Sequence, residues 1–240
     1  MALDLYYSPN ADLTTSDSTS IGDTQKLLNK TSVTRNGAQS TASRRPTHRT
    51  SGVNANLDDD VSSLSFDGND GLDLSAQVAL GSSPYTLICA WVEGDYSSDT
   101  WLFTSNTNTA HYGIAAGGAG VLLEPNSNRS PGGDEDTIPT NNTDNSTISY
   151  TFGSDVEALI ISNEDDDNVN FYNIDGALIA TKSESLYDST FPLDFIMHNG
   201  AGSRGLNGLL LQVQVRSGKA LTAQEAKGVG QAIKNLKDED

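Results

Sequence analysis

Along most of this chain apolar residues recur at every second position or in short unbroken runs, and a helical spacing appears only near the end. Leu3, Leu5 and Tyr7 alternate with Asp4 and Tyr6, which predicts an N-terminal strand that pairs with a distant partner. Leu64 and Phe66 alternate in the same way before Asp67-Gly68 turns the chain. Tyr85 to Val92 is a continuous apolar run suited to a buried strand. Further strands are expected over 100–104, 111–116, 121–124, 146–152, 156–162, 169–174, 177–181 and 193–198. Over 206–216, Leu209, Leu211, Val213 and Val215 share one face while Gln212, Gln214 and Arg216 take the other, so this strand is expected to be half buried.

The punctuation between these segments supports the same reading. Asn173-Ile174-Asp175-Gly176 places an Asp-Gly turn between two strands, a hairpin signal. Gly113, Gly117, Gly118 and Gly120 mark a tight hairpin with close backbone approach. They lack the following Lys-Ser/Thr and helix start that a phosphate loop needs. One helix is expected last. Thr222 and Glu225 form a capping box with Leu221 as a hydrophobic staple, and Lys227, Lys234 and Lys237 suit its later turns. Ala226, Val229, Ile233 and Leu236 make its apolar stripe, although Gly228 and Gly230 each weaken it by about 1 kcal/mol. Residues 8–43 are polar and read as a wrap, with a helical turn or two over Asp23 to Asn29 carrying Leu27 and Leu28 inward. Residues 125–146 form the longest low-complexity loop. The whole, 1–240, reads as a single all-β domain with a short C-terminal helix.

Charge narrows the partners. The net charge of -18 would repel a phosphate backbone, which excludes nucleic acid as a ligand. Such acidity keeps a surface-rich protein soluble and suits a salty medium. Against it stands one basic cluster, Arg44, Arg45, His48 and Arg49, a candidate for docking on an acidic neighbour. The lone Cys89 rules out an intramolecular disulfide, and its apolar strand makes it a buried structural thiol. No apolar run is long enough to span a bilayer as a helix. The N-terminus lacks the basic segment and apolar stretch of a signal peptide, so the chain is expected either to be used without Sec export or to be a mature fragment restarted with Met.

Several landmarks in order carry a family likeness: Asn36-Gly37-Ala38-Gln39-Ser40, then Arg45-Pro46-Thr47-His48-Arg49-Thr50-Ser51-Gly52-Val53-Asn54, then Leu64-Ser65-Phe66-Asp67-Gly68-Asn69-Asp70-Gly71-Leu72. The Asn173–Gly176 hairpin and the Leu206 to Leu236 strand and helix complete it. The chain resembles a concanavalin A-like, laminin-G-like jelly-roll β-sandwich over nearly its whole length. It departs from that pattern in the Asp58-Asp59-Asp60 insert and in Gln212 and Gln214, where acidic or aromatic residues are usual.

The resemblance implies three kinds of chemistry. Glucan-cleaving members carry closely spaced carboxylates on one strand, because retaining hydrolysis places a nucleophile and an acid about 5 Å apart. Here Glu93-Gly94-Asp95-Tyr96-Ser97-Ser98 has serines where a third carboxylate would stand, so the chain is expected not to be an enzyme. Domains of this group often bind calcium, and Asp67, Asn69, Asp70 and Asp73 are the candidate oxygen ligands, with Glu164, Asp165, Asp166 and Asp167 as a second set. No other cofactor is expected, and three scattered histidines do not make a zinc site. Glycan contact would use Trp101, His111, Tyr112, His198 and Asn199. The function so implied is a phage virion surface protein, a homo-oligomer decorating the capsid or forming part of a fibre and contacting host glycans. The alternatives are a lectin-like carbohydrate-binding module of a secreted protein, which would be extracellular, and a glycoside hydrolase.

Overall fold

A computed structural model of the chain describes residues 2–7, 37–38, 42–44, 46–49, 61, 63–80, 84–105, 110–114, 116–118, 120–125, 148–153, 155–165, 168–182, 192–197 and 205–236. The strands are β1 (Ala2–Tyr7), β2 (Gly37–Ala38), β3 (Thr47–Arg49), β4 (Ser63–Asp67), β5 (Leu72–Ala79), β6 (Tyr85–Asp95), β7 (Thr100–Thr104) and β8 (Ala110–Ile114). They continue with β9 (Gly120–Pro125), β10 (Ile148–Ser149), β11 (Glu157–Asp165), β12 (Asn168–Tyr172), β13 (Leu178–Lys182), β14 (Pro192–Ile196) and β15 (Asn207–Ser217), before one helix, α1 (Ala223–Lys234). The fold is an all-β sandwich with a short C-terminal helix. The expected wrap helix at 23–29 and the loop at 125–146 fall almost wholly outside the described residues.

Two antiparallel sheets form the sandwich. The first has eight strands in the order β13-β12-β11-β6-β15-β4-β3, and β1 also pairs with β15. The long β15 shares one edge between two partners: Asn207 to Leu210 pair with β4, and Val213 to Ser217 pair with β1. The N-terminal strand thus meets its distant partner. The second sheet has seven strands in the order β10-β9-β8-β7-β14-β5-β2. Its β5 lies beyond the strands that the pattern of the sequence announced.

Strands β6 and β11 are dry on both faces, which explains their unbroken apolar runs. Tyr85, Leu87, Cys89 and Trp91 of β6 join Leu159 and Ile161 of β11 in the core between the sheets. Ile88, Ala90 and Val92 join Ala158 and Ile160 in a second cluster on the opposite face. The helix covers that second face with Ala226 and Ile233, and Val229 and Leu236 pack at its margin. Its start is built as the sequence proposes. Thr222 and Glu225 form the capping box, and Lys219 pairs with the Glu225 carboxylate. The buried Ser162 hydroxyl accepts from Leu221 N at 2.8 Å and donates to Leu221 O at 3.0 Å, pinning the chain just before the cap.

One expectation is corrected here. β15 is not half buried, because its pairing with β6 shifts register between Leu210 and Gln212. A bulge breaks strict alternation. Leu210, Val213 and Val215 therefore face the inter-sheet core, whereas Leu211 faces the helix side. Gln212 and Gln214 are buried as well, and Arg216 donates to Gln214 Oε1.

The helix approaches the sheet so closely that one position has no room for a side chain. A Cβ on Gly230 would stand 1.7 Å from the Ile174 carbonyl oxygen, whereas one on Gly228 meets nothing within 4 Å. Gly230→Ala is expected to destabilise the fold by about 2–4 kcal/mol despite alanine's better helix propensity. Gly228→Ala is expected to stabilise it by about 0.5–1 kcal/mol. Urea denaturation of the two variants measures both signs, and equal effects would show that the helix does not dock in this way.

Candidate functional site

The residues proposed for sugar contact are not brought together as an exposed platform. Trp101 and Tyr112 are both buried. The Tyr112 hydroxyl lies 2.7 Å from that of Tyr85 inside the core, and its ring packs near Phe171 at 6.1 Å between centroids. Trp101 lies outside the inter-sheet cluster, over Gly113 of the paired strand, where a Cβ would come within 2.8 Å of its ring. Neither ring presents a face to solvent, which corrects their expected role. His111 pairs with Thr104 in β8, but its side chain lies outside the described residues, as do His198 and Asn199.

Asp67, Asn69 and Asp70 occupy one turn after β4, and Asp73 lies on β5 opposite Phe195. Asp67 N donates to Asp70 Oδ2 at 3.1 Å, and Asn69 N donates to Asp67 Oδ1 at 2.9 Å, so the carboxylates brace the turn's own backbone. Burial, and then the neighbouring Asp67, push the Asp70 carboxyl up to about 6. In the second set, Glu164 accepts from the Asn170 amide at 3.0 Å, while Asp166 and Asp167 lie outside the described residues. Among the described residues no group of three His, Cys, Asp or Glu side chains is placed to hold a metal ion. Of the basic cluster, Arg44 is half buried and its carbonyl accepts from Gly71 N. His48 and Arg49 pair with Leu64 and Ser63 through β3, their side chains and all of Arg45 lying outside the described residues. Asp95, a member of the carboxylate run, accepts from Ser97 N and from the Asn207 amide.

A different group of side chains converges at one end of the sandwich. Glu157 opens β11 directly opposite Trp91 of β6, on the face that Leu159 and Ile161 commit to the core. It is therefore a carboxylate at a core position. Its Oε1 accepts from Gly153 N at 2.8 Å. The Gly153 carbonyl accepts in turn from the Tyr96 hydroxyl at 3.2 Å, and that hydroxyl accepts from Trp91 Nε1 at 2.7 Å. Phe152 packs among the rings, with centroids 5.5 Å from Trp91, 6.2 Å from Tyr96 and 4.7 Å from Tyr150. Tyr150 is half buried and lies near Asn173 of the β12–β13 turn, whose side chain accepts from Asp175 N and Ala177 N. The same turn carries Asp175, which pairs with Lys234 from the last turn of α1.

Glu157 is the chemical anomaly of this end. It is only 9% exposed, yet its Oε2 has no hydrogen-bond partner among the described residues. An unpaired buried carboxylate oxygen is costly, by about 1–3 kcal/mol or more for a charged group. Burial raises the Glu157 pKa, as do Asp155 and Asp175, while the Gly153 bond and Lys234 oppose the rise. Tyr96 and Tyr150 are raised too, first by burial, with Glu157 contributing to both. The centre thus holds a buried carboxyl with one bonded oxygen, electrostatically coupled to Tyr96 and Tyr150.

The sequence carried a signal for it that pattern reading passed over. In Asp155-Val156-Glu157-Ala158-Leu159-Ile160-Ile161, Glu157 stands two and four residues before two core residues of the same strand face. A carboxylate in that phase is either exposed at the strand's end or buried with a purpose.

No protein-family model matches the chain, and no curated protein matches it in sequence. Solved structures do match its fold. Domain 4 of an extracellular GH43 arabinanase from Geobacillus stearothermophilus, in complex with arabinotriose, is 13% identical with a TM-score of 0.59, and the match covers 96% of this chain and 98% of that one. A GH54 α-L-arabinofuranosidase is 10% identical with a TM-score of 0.53, covering 99% of this chain and 60% of that one. A Trypanosoma rangeli sialidase is 10% identical with a TM-score of 0.53, covering 95% and 33%. The chain thus spans the whole of the arabinanase domain but only part of the other two. At these identities the likeness shows a shared β-sandwich. It also corrects the expectation that the chain is not an enzyme: chains of glycoside hydrolases contain this fold, so the fold is no ground for setting catalysis aside. The virion-surface expectation draws no support from these neighbours.

The two raised carboxyls set a pH dependence of known sign. Each binds its proton more tightly in the folded state, so its contribution favours folding in acid and is lost as pH rises through the folded value. Asp70→Asn should therefore gain stability over the parent between the ordinary value of 3.8 and about 6, reaching about 1–2 kcal/mol at neutral pH once solvent screening reduces the roughly 3 kcal/mol of the full shift. Glu157→Gln should shift the balance in the same direction. Urea denaturation across this range reads the gap, and a gap of constant size would contradict the assignment.

Proposed function

We propose that this chain is a carbohydrate-binding β-sandwich domain of the concanavalin A-like, laminin-G-like type, acting on glycans outside the cell as part of a glycan-degrading protein. The observation that carries this reading is the end-to-end correspondence with the arabinanase domain, in which each chain accounts for nearly all of the other. That domain was solved holding arabinotriose and belongs to an extracellular enzyme. The correspondence is of one folding unit with another, so a comparable role for the unit follows more directly than from the larger chains that this fold only partly spans.

The chain's charge agrees with a neutral ligand. A chain with 32 acidic and 14 basic residues disfavours polyanionic glycans and leaves neutral polysaccharides as its suitable targets. Native electrophoresis of the whole chain through gels carrying soluble arabinan, or other neutral polysaccharides, tests this. Retardation by arabinan or a related pentose polymer is the expected result, and unchanged mobility in every gel would contradict the reading. Reducing ends assayed in the same mixtures would extend binding to cleavage.

A further inference from the structure

We propose that the aromatic and carboxylate centre at the end of the sandwich is the sugar-binding site, with Glu157 Oε2 taking a sugar hydroxyl and the half-exposed Tyr150 ring lying against the sugar's apolar face. This inference rests on the carbohydrate-binding reading and adds the place and the contacts. Three observations meet at the centre. Glu157 is nine-tenths buried and holds an oxygen without a partner among the described residues. Phe152, itself seated between Trp91 and Tyr96, supports Tyr150 edge-on at 4.7 Å. The turn that carries these residues exposes Thr151, Gly153 and Asp155 to solvent.

The chemistry of the occupant follows from the groups around it. Lys234 is paired with Asp175, and Glu157 Oε1 is held by Gly153 N. What remains is a single carboxyl oxygen beside an aromatic ring. A sugar hydroxyl satisfies that oxygen in either protonation state, donating to the carboxylate or accepting from the acid. A sugar's C–H face suits the ring. A cation would satisfy only the ionised form. The oxygen is shielded from solvent in the unbound chain, so the ligand reaches it by lifting the turn at Gly153, which is held by the bond to Glu157 and the 3.2 Å bond from Tyr96.

Calorimetric titration with arabinotriose, comparing the parent chain with Glu157→Met and Tyr150→Ala, tests the placement. Glu157→Met fills the same space and removes both carboxyl oxygens, so a sugar hydroxyl finds neither a carboxylate acceptor nor an acid donor there. Each variant is expected to bind about tenfold more weakly or worse. Parent-like affinity in both, within about twofold, would place the sugar elsewhere and overturn this inference while leaving the carbohydrate-binding reading intact. Failure of the parent to bind any neutral oligosaccharide would overturn both. Should a variant fail to fold, the indole N–H resonances of the two tryptophans in the parent decide the matter. Trp91 shifting on titration while Trp101 stays still supports the site, and Trp91 unmoved overturns it.

Discussion

The rest of this fold depends on the need to dry both faces of its first sheet. Every side chain from Tyr85 to Val92 is buried, and the same strand looks inward to the second sheet and outward to the helix. Burial of this kind supplies the main driving force, at roughly 25 cal/mol per Å² of apolar surface removed from water. It cannot be complete without α1. Without the helix, Ile88, Ala90, Ile160 and Leu211 would form an exposed apolar face of the kind that soluble monomers avoid. The devices that fix the helix are accordingly specific: the Ser162 clamp on Leu221, the Thr222 and Glu225 box, and the bare Gly230 against Ile174.

That same constraint assembles the polar end of the sandwich. Trp91 and Glu157 are register partners on two strands whose middles are buried on both faces, and they lie where those strands reach the end of the core. The docked helix brings Lys234 to Asp175, and the turn holding Asp175 brings Asn173 to Tyr150. A carboxylate that hydrophobic burial alone would not tolerate is thereby given one firm bond and a set of charged neighbours. Its second oxygen is left over. The packing that stabilises the molecule and the buried carboxyl at its end are parts of one arrangement.

Much of the architecture was legible in the sequence because its signals are local. Alternation placed β1, β4 and the strands from β6 to β14 close to where they lie, and the Asp-Gly turn and capping box were read directly from their residues. Two failures have a shared cause in packing. The bulge at Leu210 to Gln212 depends on a partner strand, so no count along one strand announces it. Trp101 and Tyr112 looked like sugar contacts by residue type, but the choice between surface and core is made by the second sheet and what lies against it. Glu157 was overlooked for the opposite reason. Its strand phase was visible, yet the absence of a partner for Oε2 among the described residues depends on the whole end of the sandwich.

The central claim is that this sandwich end receives a sugar. A crystal structure of the chain soaked with arabinotriose tests it most directly. The account predicts sugar density against Tyr150, with a hydroxyl within hydrogen-bond distance of Glu157 Oε2 and the Gly153 turn displaced. Sugar bound on the outer face of the second sheet, over Trp101, with the Glu157 turn still closed, would contradict it.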